Sequence, residues 1–267
     1  MTTDIVYVKT TELPVTGGTV RVRFGEFFFD FRPPDERTDV CVGRSLKERV
    51  PGWLAYPTTT RIIELSTDSD ALFKSFSKNN RYKIERAARR DDVQTEFSVA
   101  PAADAAAEFV RFYDTFAQNK GVATVERSQF EALARTGKLV VSLARSVEGD
   151  VLAGKAYVLD HGRARLTHSA SLFRLQSDSA ERNRIGRVNR LLHWRDIQGF
   201  RELGATAYDM GGWYTGDRDE GLLSINAFKR EFGGEVVQEW DLFHPGSARG
   251  WLYLRARDAW RRARPRR

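Results

Sequence analysis

Thr19-Val20-Arg21-Val22-Arg23-Phe24 alternates polar and apolar side chains, the two-residue period of a half-buried strand. Ile5–Val8, Asp39–Val42 and Arg61–Leu65 read as further short strands. Glu26–Arg32 carries four phenylalanines and stops at Pro33-Pro34, which cannot continue a hydrogen-bonded ladder. Beyond residue 65 the period changes. Ser66 and Thr67 offer helix N-caps, and Asp68 and Asp70 suit a first turn. Residues 70–90 place Phe73, Phe76, Ile84 and Ala87 near one helical face, with Lys74, Lys78, Arg81, Lys83, Arg86, Arg89 and Arg90 over much of the rest. Residues 102–118 repeat the pattern through Phe109, Phe112, Tyr113 and Phe116, and 127–136 form a shorter helix.

The middle of the chain reads as an antiparallel meander. Residues 139–145 and 151–159 flank Glu148-Gly149-Asp150, and Asp160-His161-Gly162 turns into 163–171. A helix over 186–203 ends at Gly204, a left-handed stop. A buried strand over 206–210 is broken by Gly211-Gly212. A helix over 220–231, a strand over 235–243 and a helix over 247–262 complete the chain. This order implies an α+β fold, with helices covering a mixed, largely antiparallel sheet.

Composition narrows the class. With 267 residues, 41% hydrophobic and 30% charged, the chain supports a substantial core. No run of about 18 apolar residues marks a membrane span, and Met1-Thr2-Thr3-Asp4 does not open a signal peptide. The single cysteine, Cys41, sits in a Val-Cys-Val strand and reads as core packing. The expected compartment is the cytoplasm. A net charge of +7 suits a polyanionic partner, and equally an arginine-rich soluble surface. No phosphate-binding Gly-x-x-x-x-Gly-Lys-Ser/Thr loop, His-Glu-x-x-His, cysteine pair or Gly-x-Ser-x-Gly elbow is present, and His161, His168, His193 and His244 lack metal-ligand spacing. No metal site is expected.

Three segments carry more. Ser77-Lys78-Asn79-Asn80-Arg81-Tyr82-Lys83-Ile84-Glu85-Arg86-Ala87 is followed by Arg89-Arg90-Asp91-Asp92-Val93. Asn189-Arg190-Leu191-Leu192-His193-Trp194-Arg195-Asp196-Ile197 runs through Gly204 into Tyr208-Asp209-Met210-Gly211-Gly212. Gly221-Leu222 leads to Ile225 and then to Phe228-Lys229-Arg230, Phe232, Gly233 and Gly234. In order and spacing these resemble the acceptor-side domain of the Fem-like aminoacyltransferases, within the GNAT acyltransferase superfamily, over about residues 70–240. The resemblance implies a GNAT-type fold and an amide-forming N-acyl transfer from an activated donor. Residues 67–244 would form the acyltransferase domain, 1–66 a truncated β-rich remnant of an N-terminal GNAT half, and 245–267 a basic C-terminal helix and tail. The donor it implies is aminoacyl-tRNA, as co-substrate rather than a tightly held cofactor, with acyl-CoA as the alternative. The acceptor would be an amine on a small metabolite, peptide or cell-wall precursor. A non-catalytic RNA-binding protein on the same scaffold is the third reading. DNA is not an expected partner, nor is a membrane surface, although the Arg255 to Arg267 tail suits an anionic face; the oligomeric state is left open.

By this resemblance Lys229 stabilises the transition state or the tRNA end and Phe228 contacts the terminal adenosine; the plain alternative is that Phe228 is core and that Lys229 and Arg230 form a solvated helix face. Base stacking on such a ring is worth roughly 1–3 kcal/mol. Asn183-Arg184-Ile185-Gly186-Arg187-Val188, at the start of the 186–203 helix, is the best match to a CoA-binding turn, but its Asn and Val depart from that pattern. Lys78, Arg81, Arg182, Arg184, Arg187, Asn189 and Arg230 are candidate tRNA or substrate contacts, with Trp213 and Tyr214 lining the pocket. His168 and Asp209 are the candidate proton acceptors; each could instead be a packing or turn-capping residue.

Overall fold

In a computed structural model the described residues are 6–15, 18–34, 37–65, 68–175 and 178–263. They form two compact units. One comprises the described residues up to 58, those of 127–133 and those from 238 onward; the other comprises the described residues of 59–126 and 134–237.

In the first unit β1 (Val6–Val15) and β2 (Gly18–Phe28) form an antiparallel hairpin, β2 pairs parallel with β3 (Val40–Leu46), and β3 pairs antiparallel with β10 (Glu235–Pro245). Side-chain alternation covers both faces. Val22, Phe24, Val40, Val42 and Phe243 cluster on one, joined by Leu254 of helix α7 (Ala248–Ala263). Phe27, Cys41, Leu46 and Leu242 cluster on the other, so Cys41 is a core residue. The expected strand at Glu26–Arg32 is the end of β2, which closes at Phe28.

The second unit is built on strands in the order β4, β9, β8, β7, β6, β5. These are β4 (Leu54–Glu64), β9 (Ala207–Gly212), β8 (Arg163–Ser171), β7 (Val151–Asp160), β6 (Leu139–Ser146) and β5 (Val93–Val99). The meander is antiparallel, with β5 as an added strand on its edge. β8 and β9 run parallel, which requires a crossover. Helix α5 (Ser179–Glu202) supplies it, and buries Ile185, Val188, Leu191, Leu192, Ile197 and Phe200. The α+β architecture expected from the sequence, with helices on a mixed, largely antiparallel sheet, is the one present.

Strands β1, β3 and β4 run longer than the sequence reading had them, and three other boundaries differ near the cavity-forming elements. The helix over 70–90 is two, α1 (Ser69–Ser75) and α2 (Lys78–Arg90). Phe76 is extended and buried against Phe73, Trp194 and Phe232, and the Ser77 hydroxyl then accepts the Asn80 N–H at 3.1 Å to start the second helix. Asp68 caps α1, while Ser66 and Thr67 lie outside the described residues. Helix α5 begins at Ser179 rather than 186, because Asp178 accepts the Glu181 N–H at 2.9 Å. Gly211-Gly212 does not break β9, which runs through Gly212. Helices α3 (Ala103–Lys120), α4 (Arg127–Arg135) and α6 (Glu220–Arg230) fall where the pattern put them. Among the described residues no helix is long and apolar enough to cross a membrane.

Candidate active site

β8 and β9 pair only over Arg163–Arg165 and Ala207–Asp209; beyond this β8 continues to Ser171 without β9 as a partner. The last close approach is at Gly211. Its φ is 74°, and a Cβ there would lie 2.8 Å from the Leu166 carbonyl oxygen, so only glycine fits. Where the strands part, a cavity of about 860 Å³ opens within the second unit. A crevice beyond the carboxyl ends of parallel strands is where open α/β sheets bind ligands.

Its walls come from every side of the opening. β8 supplies Leu166, Ser169 and Ser171; β9 supplies Met210; α5 supplies Asn183, Gly186, Arg187, Asn189, Arg190 and His193. α6 supplies Ser224, Ile225, Phe228 and Lys229; α2 supplies Tyr82, Lys83 and Arg86; α3 supplies Phe116 and Lys120. Lys83, Arg86, Lys120, Arg187, Arg190 and Lys229 are cationic, and no carboxylate is among the described lining residues. Arg187 and Arg190 are balanced by Asp91 and Glu231, and the wall that remains is net positive and concentrates anions.

Lys229 is buried, and its Nζ donates to the carbonyl oxygens of Gly212 at 2.5 Å and Gly211 at 3.2 Å. Burial pushes its ammonium down to about 8; Asp209 opposes the fall and Arg165 adds to it. Phe228 stands beside it. The Arg190 guanidinium lies 4.6 Å from its ring centre, and the His193 ring 5.6 Å away. Asn189 also lines the cavity, with its Oδ1 buried and without a hydrogen-bond partner among the described residues.

The other sequence candidates have different surroundings. Asp209 is buried and accepts from Arg163 at 2.5 Å, Arg165 at 2.9 Å, the Gly211 N–H at 2.8 Å and the Thr60 hydroxyl. Burial raises its pKa, but Arg165 and Arg163 outweigh it and hold the carboxyl below the usual range. It is an ion-pair anchor, not a base. His168 does not line the cavity; its ring packs edge-on against Tyr113 at 4.8 Å and its Nδ1 lies 3.1 Å from the Thr167 hydroxyl. Arg81 is spent on the α1 C-terminus, donating to the carbonyls of Lys74 at 2.7 Å and Phe76 at 2.5 Å. Lys78 and Arg182 are exposed and away from the lining.

The longer α5 corrects the reading of its arginines. Asn183–Val188 lies inside the helix, where backbone N–H groups are committed to the ladder and cannot cradle a phosphate. Arg187 is bidentate to Asp91 at 2.7 and 2.8 Å. Arg184 donates to Glu181 at 2.9 Å and to the Asp91 carbonyl at 3.2 Å. Arg190 donates to Asn80 at 2.7 Å and pairs with Glu231. These side chains fasten α2 and the end of α6 to α5. Trp213 and Tyr214 do not line the cavity. Trp213 lies beside Arg61 and Arg230, and Tyr214 is held through its backbone by Asn226.

The sequence reading missed His193 as a site residue. It is 2% exposed, and its Nδ1 lies 2.6 Å from the Tyr208 hydroxyl. Tyr208 meets the Tyr157 hydroxyl at 2.9 Å, and Tyr157 donates to Asp196 at 2.5 Å. Lys155 Nζ is 3.9 Å from the same carboxylate and donates to the Asn189 carbonyl at 3.3 Å. The available signal was Asn189, His193 and Asp196, polar residues at helical spacing on an otherwise apolar face of α5. Among the described residues no group of three or more His, Cys, Asp or Glu could hold a metal ion.

By sequence the chain matches no family model and no curated protein. Its fold is similar to those of several solved structures. It is similar to the crystal structure of FemX, with a TM-score of 0.61 at 14% identity over 88% of this chain and 87% of that one. It is also similar to a C-terminal domain assigned to a lysylphosphatidylglycerol synthetase of Agrobacterium fabrum, with a TM-score of 0.52 at 14% identity over 92% and 87%. A third likeness, to L-PGS from Bacillus licheniformis, has a TM-score of 0.52 at 12% identity over 95% and 88%.

Proposed function

We propose that this chain is an N-acyltransferase that moves an aminoacyl group from aminoacyl-tRNA to an amine, forming an amide. The observation that carries the reading is the buried Lys229 ammonium beside Phe228, at a cavity also lined by Lys83, Arg86 and Lys120, while Arg187 and Arg190 are balanced by Asp91 and Glu231. Amide formation from an ester passes through a tetrahedral oxyanion. A fixed cation in a poorly solvated site stabilises that charge far better than water-exposed groups do. Phe228 offers a ring to the terminal adenine. Lys83, Arg86 and Lys120 line the same cavity and would meet backbone phosphates.

The fold shared with FemX supports acyl transfer. The donor choice is supported by α5, whose residues 183–188 have no free amides to cradle a CoA pyrophosphate. The acceptor would be a small metabolite, peptide or cell-wall precursor with an unprotonated amine. The test is a screen of charged tRNAs against panels of amines, read by mass spectrometry. An amide product that RNase abolishes is expected. Product formed from acyl-CoA and indifferent to RNase would overturn the donor assignment; salt-sensitive RNA binding with no product from any donor would make this a binding protein.

A further inference from the structure

We propose that His193 is the catalytic proton acceptor of this site, with the lone pair of its Nε2 kept for the cavity by a one-way hydrogen-bond chain through Tyr208 and Tyr157 to Asp196. The inference rests on the acyl-transfer reading for its chemistry, but its geometry stands apart from it.

The direction of the chain follows from counting protons. Each phenol has one. Tyr157 donates its proton to Asp196 at 2.5 Å, so its oxygen can only accept from Tyr208 at 2.9 Å. Tyr208 has then spent its proton, and its oxygen can only accept from His193 at 2.6 Å. Nδ1 therefore carries the hydrogen and Nε2 carries the lone pair. All four side chains are at most 2% exposed, so water does not compete for these bonds. His193 itself lines the cavity beside Phe228 and Lys229.

The surroundings keep the ring neutral at rest. Burial comes first, and the charges on Lys155 of β7, Arg190 of α5 and Lys229 of α6 add to it, so its pKa lies well below the ordinary 6.5. Asp196 ends the chain; burial raises its carboxyl to about 6, with Lys155 and the Tyr157 hydrogen bond opposing the rise, so it is anionic at neutral pH. A second polar atom awaits a partner in the same lining: Asn189 Oδ1, which could accept the other N–H of an incoming amine.

The chemistry balances on this ring. The amine nitrogen forms the C–N bond with its lone pair, and the carbonyl π electrons move to oxygen beside the Lys229 ammonium. Nε2 takes the proton released by the positively charged nitrogen. On collapse the carbonyl re-forms, the ester C–O bond breaks, and the departing ribose oxygen takes that proton from Nε2. His193 ends neutral, as it began.

Two measurements test this, one of them without any substrate. The ¹⁵N spectrum of imidazole-labelled protein is expected to show the His193 proton on Nδ1. Asp196→Asn offers an amide N–H to Tyr157, reverses the chain and is expected to move that proton to Nε2. In the transfer assay His193→Ala is expected to lower kcat by about 10²- to 10⁴-fold with KM little changed. Added imidazole is expected to restore part of it, which a structural defect would not allow. Tyr208→Phe is expected to lower kcat about 10- to 100-fold, as loss of a positioning partner does. A wild-type proton on Nε2, or full kcat in His193→Ala, would overturn the assignment while leaving acyl transfer intact. Absence of product from the wild type with every donor, beside the expected Nδ1 proton, would instead overturn the acyl-transfer reading and the catalytic role built on it.

Discussion

The ammonium of Lys229 donates to the carbonyl oxygen of Gly212 at 2.5 Å, so this lysine is anchored by the backbone of the strand that forms one lip of the cavity. An oxyanion would be held by the charged form alone. Burial brings that form's pKa down to about 8, so the transfer rate is expected to fall as pH rises through about 8. The stability trend has the opposite sign. Between about 8 and the ordinary 10.5, the unfolded chain holds a proton that the folded chain has lost, so unfolding free energy rises with pH across that window. Lys229→Met is expected to remove both trends and to lower kcat about 10²- to 10³-fold, the usual cost of losing one oxyanion donor. Rate profiles and denaturant titrations from pH 7 to 10.5 check the two signs separately.

Gly211 ends the contact between β8 and β9, and alanine there meets two penalties. The backbone is in the left-handed region at φ 74°, and the new Cβ would sit 2.8 Å from the Leu166 carbonyl oxygen. Gly211→Ala is expected to cost about 1–3 kcal/mol of stability, measured by urea titration. Because Gly211 also accepts from Lys229 and its N–H donates to Asp209, activity should fall further than stability alone explains. Gly204→Ala, at φ 77° but with nothing within 4 Å of a Cβ, is the control that separates backbone strain from the close approach.

Arg187 and Asp91 hold α5 to the end of α2 by two parallel hydrogen bonds, with side-chain exposures of 14% and 6%. Removing the arginine leaves a nearly buried carboxylate with one cation lost. Arg187→Ala is expected to destabilise by about 2–4 kcal/mol. Arg187→Lys should recover little, because an ammonium cannot reproduce the planar fork. Asp91→Asn with Arg187→Ala should cost less than the sum of the two single changes, a coupling that a double-mutant cycle measures.

The sequence disclosed what local pattern controls. The meander was legible because its strands alternate or run apolar between glycine turns, and Phe228-Lys229 was legible because the motif lies on one helix turn. β5 was missed although Val93, Thr95, Phe97 and Val99 alternate: it is an edge strand, half exposed, directly behind a charged run. The first turns of α5 were missed because Ser179–Arg184 has no apolar period, and its start is set by one cap from Asp178. That single error made Arg184 and Arg187 look like free phosphate ligands. The chain from His193 to Asp196 was invisible for another reason. Tyr157, His193, Asp196 and Tyr208 lie on three elements, and only the fold brings their polar atoms together in a dry interior.

The cations that the fold presents to the cavity from α2 and α3 are Lys83, Arg86 and Lys120, not the Lys78 and Arg81 that the sequence singled out. Helical phase decides this: Tyr82, Lys83 and Arg86 share the cavity face, whereas Arg81 turns back to cap α1. If these three meet phosphates, Lys83→Glu, Arg86→Glu and Lys120→Glu should each weaken tRNA binding whatever its sequence, and neutralising one should lower the slope of log K against log salt by about 1. The effect should appear in KM more than in kcat, because phosphate contacts position the donor without touching the reacting ester. Lys78→Glu is the matched control: it makes the same charge change on the same helix, off the cavity face, and is expected to alter affinity far less. Filter binding of tRNA from 50 to 300 mM salt reads both. Equal losses from Lys78→Glu and Lys83→Glu would mean that only net charge matters, and that the cavity is not where the nucleic acid ends.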